Sequence, residues 1–551
     1  MTSPKSFCKQ YFCAIVVALI FIKLLLVADI AVHIRFSPFD DSLYVDRAYA
    51  FLIKGGWGGS YDAYVLAKIP GMSFWLVANR WLGIPYLLSI NLFYCLAGLL
   101  LIRAAARAGV EDGFLLIAYS MFLCNPITFA VEWALVMREA LSSVITITLL
   151  GISLKIMVSS KDKLPSGWML AWGLIFAFGQ LLREEDRLLW AYLILFGGAS
   201  MWLRRDAFTH RIKGRFAILM LFIPALLSSL VGYGVRSYHE SLFGAPILSD
   251  YSEGEFPRLM ATLRSIESPI DNRLVMLPQE VIQKLRPLVP DFAPVLDRLP
   301  APGIHTFSCK SHGVCDEWSN GWMPWWVKQA SAEAGLTPTL VAGQEYFKSI
   351  REQIEALCQQ SHLRCRFSGE GIIPPMEFRW FRSYIQEFSR IAAMLIYPKV
   401  SVVSASDQPV NASRDLVERY QHVTMTSVTE NPLPDRVTLV GTLQAELRGT
   451  FAVMGAFLNG LAVIVGMVTI IWRGIMYPSV PVTPIYLLCL AFFGYSLIRL
   501  LALAYVAVFL GPFEPRIVFS TYTGLGLLGV FAVWDSIQAR KKFQFLRYKY
   551  A

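Results

Sequence analysis

Runs of about 20 apolar residues recur along this 551-residue chain, and they constrain its fold more than any other feature. Only 16% of the residues are charged, against about 25% in an average soluble protein, and the mean hydropathy is +0.49. We therefore predict an α-helical polytopic membrane protein with about ten transmembrane helices. The predicted spans are 11–32, 85–103, 113–131, 137–157, 167–182, 188–203, 216–234, 451–472, 482–510 and 516–536.

The first apolar run is longer than the core of a signal peptide, which has about 7–15 residues, and no small-residue cleavage site follows it. We expect it to be a retained helix. An even number of spans places both termini on one side, and the segments on that side are rich in Lys and Arg, including Arg540, Lys541 and Lys542 of the tail. This bias predicts cytoplasmic termini and accounts for the net charge of +10. No nucleic-acid-binding motif is present, so we expect no nucleic-acid partner.

Two long segments interrupt the spans. The first outer loop, 33–84, holds the apolar stretches 49–53 and 69–78, which are too short to span and are typical of interfacial helices. A polar insert, 235–450, is large enough for its own core, and we expect a mixed fold outside the cytoplasm. The predicted organisation is an N-terminal transmembrane module, 1–234, the insert, and a C-terminal transmembrane module, 451–551, with a basic tail.

Four of the nine cysteines lie in the insert. An even set in an exported domain favours two disulfides, and the local pairing Cys309–Cys315 with Cys358–Cys365 is one of three connectivities. The alternatives are free thiols, or a zinc site completed by His305, His312 or His362. The spacing of these cysteines differs from that of the common zinc knuckle.

Asp40 and Asp41 follow the first span directly, at the start of the first outer loop. A carboxylate there could deprotonate a hydroxyl as a general base, and a second acid beside it could raise its pKa or share a metal. The alternative is structural, because Asp is also a good helix cap. If a metal binds, a divalent cation (Mg²⁺ or Mn²⁺) held by this pair is the expected one.

Four segments together resemble a known class of enzymes. They are FDDSLYVDRAYA at 39–50 with GGWGG at 55–59, IPGMSFW at 69–75, GLIFAFGQLLREED at 173–186, and EPR at 514–516. Their order and sidedness resemble the GT-C fold of integral-membrane glycosyltransferases, which include protein O-mannosyltransferases and the bacterial aminoarabinose and arabinofuranosyl transferases. The resemblance covers roughly the first 200 residues and the last 40, and the insert lies outside it.

The resemblance implies a sugar on a polyprenyl phosphate as donor, an acceptor that is a glycan, lipid or protein, and an inverting displacement. It implies that Asp40 is the base and Asp41 its partner, although the order could be reversed. The family's phosphate-binding Arg corresponds to Arg516, where a guanidinium would suit the phosphate dianion. This chain has Ile517 where the family often has an aromatic residue. The alternative for Arg516 is an anchor whose side chain reaches the bilayer surface.

Other charged side chains at the outer ends of the spans could face the same cavity. We expect Arg183 and Arg138 to assist in binding the donor phosphate, and the acceptor side of the cavity to be lined by Glu184, Glu185, Glu139 and Tyr44. The alternatives are a solvated turn at 183–187 and ion pairs that pack the bundle. The expected location is a bacterial inner membrane, with the active site on the outer face.

Two other functions are consistent with many spans and a large outer loop. An O-antigen-type polymerase or ligase would use the late loop, with His305, His312, His362, His422, Arg379 or Arg382. A lipid-linked glycan transporter or flippase should have polar residues near mid-membrane and a repeat of spans, whereas the charges here lie mainly at span ends.

Overall fold

The computed structural model describes residues 4–34, 41–56, 61–159, 165–183, 187–203, 210–270, 273–301, 316–366, 372–403, 412–426, 428, 439–511 and 513–550. Within these ranges the chain is helical, and its β-bridges are isolated ones. The helices up to the insert are α1 (Pro4–Val27), α2 (Asp41–Lys54), α3 (Gly71–Leu82), α4 (Tyr86–Arg107), α5 (Asp112–Leu123), α6 (Val131–Ala134), α7 (Arg138–Val158), α8 (Ser166–Gln180), α9 (Leu189–Leu203) and α10 (His210–Phe243).

The remaining helices belong to the insert and to the C-terminal spans. They are α11 (Glu255–Ser265), α12 (Gln279–Leu288), α13 (Ala293–Leu296), α14 (Met323–Glu333), α15 (Leu340–Gln359), α16 (Phe381–Ile396), α17 (Arg414–Thr424), α18 (Leu439–Met476), α19 (Pro484–Leu510) and α20 (Phe519–Tyr550). Short 3₁₀ turns cover Pro126–Phe129, Pro290–Phe292, Phe378–Trp380 and Pro515–Val518.

In the described part of the chain, seven segments are long and apolar enough to cross a membrane. They are Tyr86–Arg107, Asp112–Phe129, Arg138–Val158, Leu219–Phe243, Gly441–Met476, Pro484–Leu510 and Pro515–Tyr548. The other three predicted spans correspond to α1, α8 and α9, of which Tyr11–Val27 and α9 are shorter apolar helices. The fold is therefore that of the predicted α-helical polytopic membrane protein, with seven long spans and three shorter helices at the predicted positions.

Glycines allow a close helix crossing in the C-terminal module, between α18 and α20. A Cβ at Gly466 would lie 2.5 Å from the Cα of Gly529, and one at Gly529 would lie 2.1 Å from the carbonyl oxygen of Ala462. Small residues are the usual means by which membrane helices approach each other, because lipid supplies little hydrophobic force between them. The two helices thus meet backbone to backbone.

The first outer loop folds as two helices, α2 and α3, which contain the two predicted interfacial stretches. Arg47 of α2 is only 3% exposed and donates hydrogen bonds to the carbonyl oxygens of Lys68, at 2.7 Å, and Val65. A buried guanidinium is stable only with such partners. Arg47 therefore fixes the segment between α2 and α3 against α2.

The insert has its own hydrophobic core, which includes the buried side chains of Phe256, Phe292 and Phe347. Its described part is helical instead of the mixed architecture that the sequence predicts. Its ends continue into the bundle, since α10 runs past residue 234 to Phe243 and α18 already begins at Leu439.

Helix α16 connects the insert to the transmembrane bundle. The Tyr384 hydroxyl donates to the carbonyl oxygen of Leu501 in α19, at 3.3 Å, and the Trp380 ring lies 5.1 Å from that of Phe509. Phe378 and Phe381, on the same segment, are 89% and 51% exposed. An exposed aromatic pair beside a spanning helix is typical of a segment at the membrane surface.

Candidate active site

Asp41 is the first residue of α2, and its side chain is fully buried. An ionised carboxylate is favoured at a helix N-terminus, where the backbone N–H groups point towards it. Asp40, the predicted base, lies outside the described residues. The structure therefore tests the surroundings of the acidic pair only through Asp41.

The insert supplies the side chain that faces Asp41. Tyr420 of α17 is 0% exposed, and burial followed by the nearby carboxylate of Asp41 raises its pKa well above the usual value. The phenol therefore keeps its proton and can act as a hydrogen-bond donor towards a carboxylate. Tyr420 could not be predicted as a site residue, because nothing in the chain near residue 420 indicates a contact with the first loop.

Two further contacts hold α17 along α2. Arg419 forms an ion pair with Asp46, with 2.5 Å between Nη1 and Oδ1, and the ring of His422 lies 5.4 Å from that of Tyr49. Burial raises the pKa of Asp46, while the Arg419 guanidinium acts in the opposite direction. The first loop and the insert thus form one continuous structure around Asp41.

Backbone pairing brings the start of α7 to the first outer loop. His33 forms a parallel bridge with Leu135, and its N–H donates to the carbonyl oxygen of Ala134 at 3.2 Å. Arg138 and Glu139 follow as the first residues of α7, and Glu139 is 4% exposed. The predicted residues Arg138 and Glu139 therefore lie on the same side of the bundle as the start of the first outer loop.

Arg183 is 1% exposed and follows directly on a tight contact between α8 and α3. The N–H of Gly71 donates to the carbonyl oxygen of Leu181 at 2.7 Å, and a Cβ at Gly71 would lie 2.4 Å from that oxygen. Only a glycine at position 71, which has no Cβ, lets α3 pack this closely on the carbonyl of Leu181. Glu184 and Glu185, the predicted acceptor residues beside Arg183, lie outside the described residues.

Arg516 and Tyr44 occupy different surroundings. Arg516 lies in the turn before α20, where its Nε is 2.9 Å from Oε2 of Glu514 and its side chain is 15% exposed. Arg390 of α16 donates to the carbonyl oxygen of Phe513 in the same segment, at 3.0 Å. Arg516 thus lies with α16 at the start of the last span. Tyr44, in α2, is 1% exposed and packs in the main core.

The structure joins Cys358 to Cys365 by a disulfide, with 5.6 Å between the Cα atoms, which is one pair of the favoured connectivity. Cys309 and Cys315 lie outside the described residues. In the ranges that the structure covers, no group of three or more His, Cys, Asp or Glu is placed to hold a metal ion. Because Asp40 is outside them, a cation at the acidic pair stays a prediction.

Charged side chains also occur inside the spans, whereas the sequence analysis placed the charges mainly at span ends. Arg499 lies in the middle of α19, is 1% exposed, and donates to the Tyr495 hydroxyl at 3.1 Å. Lys23 of α1 is 2% exposed, bonds to the Thr128 hydroxyl and lies 3.4 Å from the centre of the Phe129 ring. Buried charges at such depth mark functional sites by default. Both residues interrupt apolar runs, so the sequence contained the signal.

No family model and no curated protein sequence matches the chain. Among solved structures, it is similar to ArnT from Cupriavidus metallidurans, with 14% identity to the crystal structure bound to undecaprenyl phosphate and 12% to the apo state. Each likeness covers 96% of this chain and 78% of that chain, with a TM-score of 0.29. At that TM-score the likeness carries no argument about the reaction, and the case for a function rests on the side chains.

Proposed function

We propose that this chain is a membrane glycosyltransferase that moves a sugar from a polyprenyl-phosphate donor to an acceptor hydroxyl at the outer membrane face. The observation that carries the proposal is the buried carboxylate of Asp41 at the start of the first outer loop, covered by Tyr420 of the insert. A carboxylate costs free energy to bury, so its retention at this place favours a role in chemistry. The acceptor is a glycan, lipid or protein of the cell envelope.

Asp40 is proposed as the general base and Asp41 as its partner. The complete burial of Asp41 supports this order, because an acceptor cannot reach a side chain that has no exposed surface. In the reaction, Asp40 takes the proton of the acceptor hydroxyl as its oxygen attacks the anomeric carbon. The bond from that carbon to the phosphate oxygen breaks, and polyprenyl phosphate leaves with the electron pair. A single displacement of this kind inverts the anomer.

The leaving phosphate is proposed to meet guanidinium groups at the outer ends of the spans. Arg138 beside the first loop and Arg516 at the start of the last span are part-exposed and are the candidates for direct contact, whereas Arg183, which is 1% exposed, would act through its charge. Guanidinium groups bind phosphate through paired hydrogen bonds and offset the charge that develops on the leaving oxygen. A Mg²⁺ or Mn²⁺ ion at Asp40 and Asp41 would add to this effect, and loss of activity on chelation would reveal it.

The proposal places the protein in a bacterial inner membrane, with cytoplasmic termini and the insert in the periplasm. The donor would then enter sideways from the outer leaflet, and the acceptor would approach from the side of the insert. Labelling of single cysteines introduced into the tail and the insert with a membrane-impermeant reagent tests this orientation.

The test of the catalytic assignment is complementation of a deletion strain with Asp40→Asn and Asp41→Asn, with membrane abundance measured for each. Asp112→Asn is the matched control, because Asp112 is also the first residue of a helix, α5. We expect Asp40→Asn to abolish glycan product at normal abundance and Asp112→Asn to retain it. If Asp40→Asn and Asp41→Asn are fully active and His422→Gln is not, the chemistry lies in the late loop, as in the polymerase or ligase alternative.

A further inference from the structure

A cavity of about 240 Å³ lies between α8 and α10, beside the stretch that precedes α3. Its walls include Ile69, Leu181 and Leu248, which are buried apolar side chains. A pocket for a drug-sized ligand has about 300–1,000 Å³, so this one suits a small group.

The polar lining of this cavity is suited to an anion. Arg187 and Arg236 contribute guanidinium groups, and Gln180, Ser228 and Ser229 contribute amide and hydroxyl groups. Among the described residues, none of those lining the cavity is acidic. The Ser228 hydroxyl is buried and has no hydrogen-bond partner within the described ranges. A buried hydroxyl without a partner is costly unless a ligand or water supplies one.

Among the described residues, the charge around the cavity stays positive after the carboxylate of Glu253 is counted. Nε and Nη2 of Arg236 donate to Glu253, at 3.2 Å and 2.5 Å, while its Nη1 lies beside Gly232 on the cavity wall. Although burial acts against it, hydrogen bonds from Arg236 and the Leu248 N–H, together with the charge of Arg187, lower the pKa of Glu253. Glu253 is therefore ionised and neutralises one of the two guanidinium groups, and the other remains available.

The predicted end of the α10 span, at residue 234, would place this cavity near the lipid headgroups. On α10, Leu226, Leu230 and Tyr233 are 42%, 55% and 71% exposed, as expected for side chains that face acyl chains. Arg236 follows Tyr233 within one helical turn, at the end of the span that the sequence places on the outer side. An arginine next to such a face is in reach of phosphate oxygens at the bilayer surface.

We propose that this cavity binds the phosphate-bearing headgroup of an outer-leaflet lipid, whose chain lies along the exposed apolar face of α10. The guanidinium group of Arg187, the free nitrogen of Arg236 and the Ser228 hydroxyl contact the phosphate. Two lipids share this chemistry, an anionic phospholipid and a polyprenyl phosphate. The site does not depend on the proposed glycosyl transfer, since it is defined by lipid binding alone.

The test measures lipid retained by the full-length protein, by native mass spectrometry after transfer from nanodiscs. The nanodiscs contain phosphatidylcholine with either phosphatidylglycerol or undecaprenyl phosphate, and a third arm adds inorganic phosphate to the protein in detergent. Arg187→Gln removes one charge, and Gly232→Leu fills the cavity. Gly234→Leu is the matched control, because Gly234 lies on the same helix and a Cβ there meets nothing within 4 Å.

We expect Arg187→Gln and Gly232→Leu each to weaken retention of at least one phosphate-bearing probe by roughly tenfold or more, and Gly234→Leu to leave it unchanged. The probe whose retention falls in these variants shows whether the cavity binds a phospholipid, a polyprenyl phosphate or free phosphate. Equal retention by all variants in all three arms would overturn the proposal, as would an equal loss in Gly232→Leu and Gly234→Leu. Asp40→Asn should retain the lipid, which separates this result from the catalytic assignment.

Discussion

Gly71→Ala should move the segment that carries Arg183 away from the first loop. It therefore tests whether the rate of sugar transfer depends on how closely the two segments pack. The new methyl would lie 2.4 Å from the carbonyl oxygen of Leu181, whereas an ordinary contact begins at 3.4 Å, so the two segments must separate by about 1 Å. Arg183 follows Leu181 by two residues, and α3 packs on α2, which begins with Asp41. A misplacement of about 1 Å can reduce an enzymatic rate by about 10²-fold. The same overpacking should cost about 1–3 kcal/mol of stability.

The assay compares sugar transfer by Gly71→Ala and wild-type protein in proteoliposomes, together with thermal unfolding of both. Gly113→Ala is the control, because Gly113 also lies in the first turn of a helix and a Cβ there meets nothing within 4 Å. We expect a loss of kcat near 10²-fold in Gly71→Ala at an unchanged fraction of folded protein. If Gly71→Ala and Gly113→Ala transfer sugar at the same rate, the link between this contact and the reaction is refuted.

Three further predictions concern the insert and the first loop. Lys328→Met should lower the free energy of unfolding by about 3–5 kcal/mol, because it leaves the buried carboxylate of Asp250 without its ion-pair partner, and adding Asp250→Leu should restore part of the loss in a denaturation assay. Cys358→Ser should cost about 2–3 kcal/mol, since the disulfide closes a short loop, and unfolding with and without reductant should show it. Burial raises the pKa of Asp46 on folding, so the folded state binds a proton more tightly and stability falls as pH rises above 3.8. Asp46→Asn should remove this fall, which thermal unfolding across a pH series starting below 3.8 would measure.

The transmembrane helices could be predicted because a long apolar run has one stable form in a bilayer, a helix with all its backbone groups bonded. The predicted span 137–157 corresponds to Arg138–Val158, and 85–103 to Tyr86–Arg107. The helix ends are less certain because they depend on packing. Helix α10 continues to Phe243, beyond its predicted end at 234, and its last turn lies against the first outer loop, where the ring of Phe243 is 6.0 Å from that of Tyr61.

The contact between the insert and the first loop could not be predicted in the same way. Arg419 and Asp46 are 373 residues apart, and no periodicity relates positions so distant in the chain. Each residue alone is typical of an exposed helix, with a charge every three or four positions. The sequence therefore does not indicate that α2 and α17 pack together.

That contact brings Tyr420 of the insert next to Asp41. A carboxylate with no exposed surface loses its hydration, a penalty of several kcal/mol, and it stays ionised only if other groups replace the water. Asp41 lies at the N-terminus of α2, and the buried Tyr420 of the insert lies close enough for the Asp41 carboxylate to raise its pKa. If Asp41 takes part in the proposed reaction, α17 is a component of its site.

Tyr420→Phe measures this contribution directly. It removes the hydroxyl that faces Asp41 but keeps the ring that packs in the core, so the expected loss is that of a hydrogen bond to a charged group, about 1.5–3 kcal/mol, in stability or in transfer rate. In a double-mutant cycle with Asp41→Asn, the two losses should fall short of additivity, because Tyr420 acts through that carboxylate. Additive losses would mean that the two side chains act independently, and the insert would then be a neighbour of the acidic pair with no part in its chemistry.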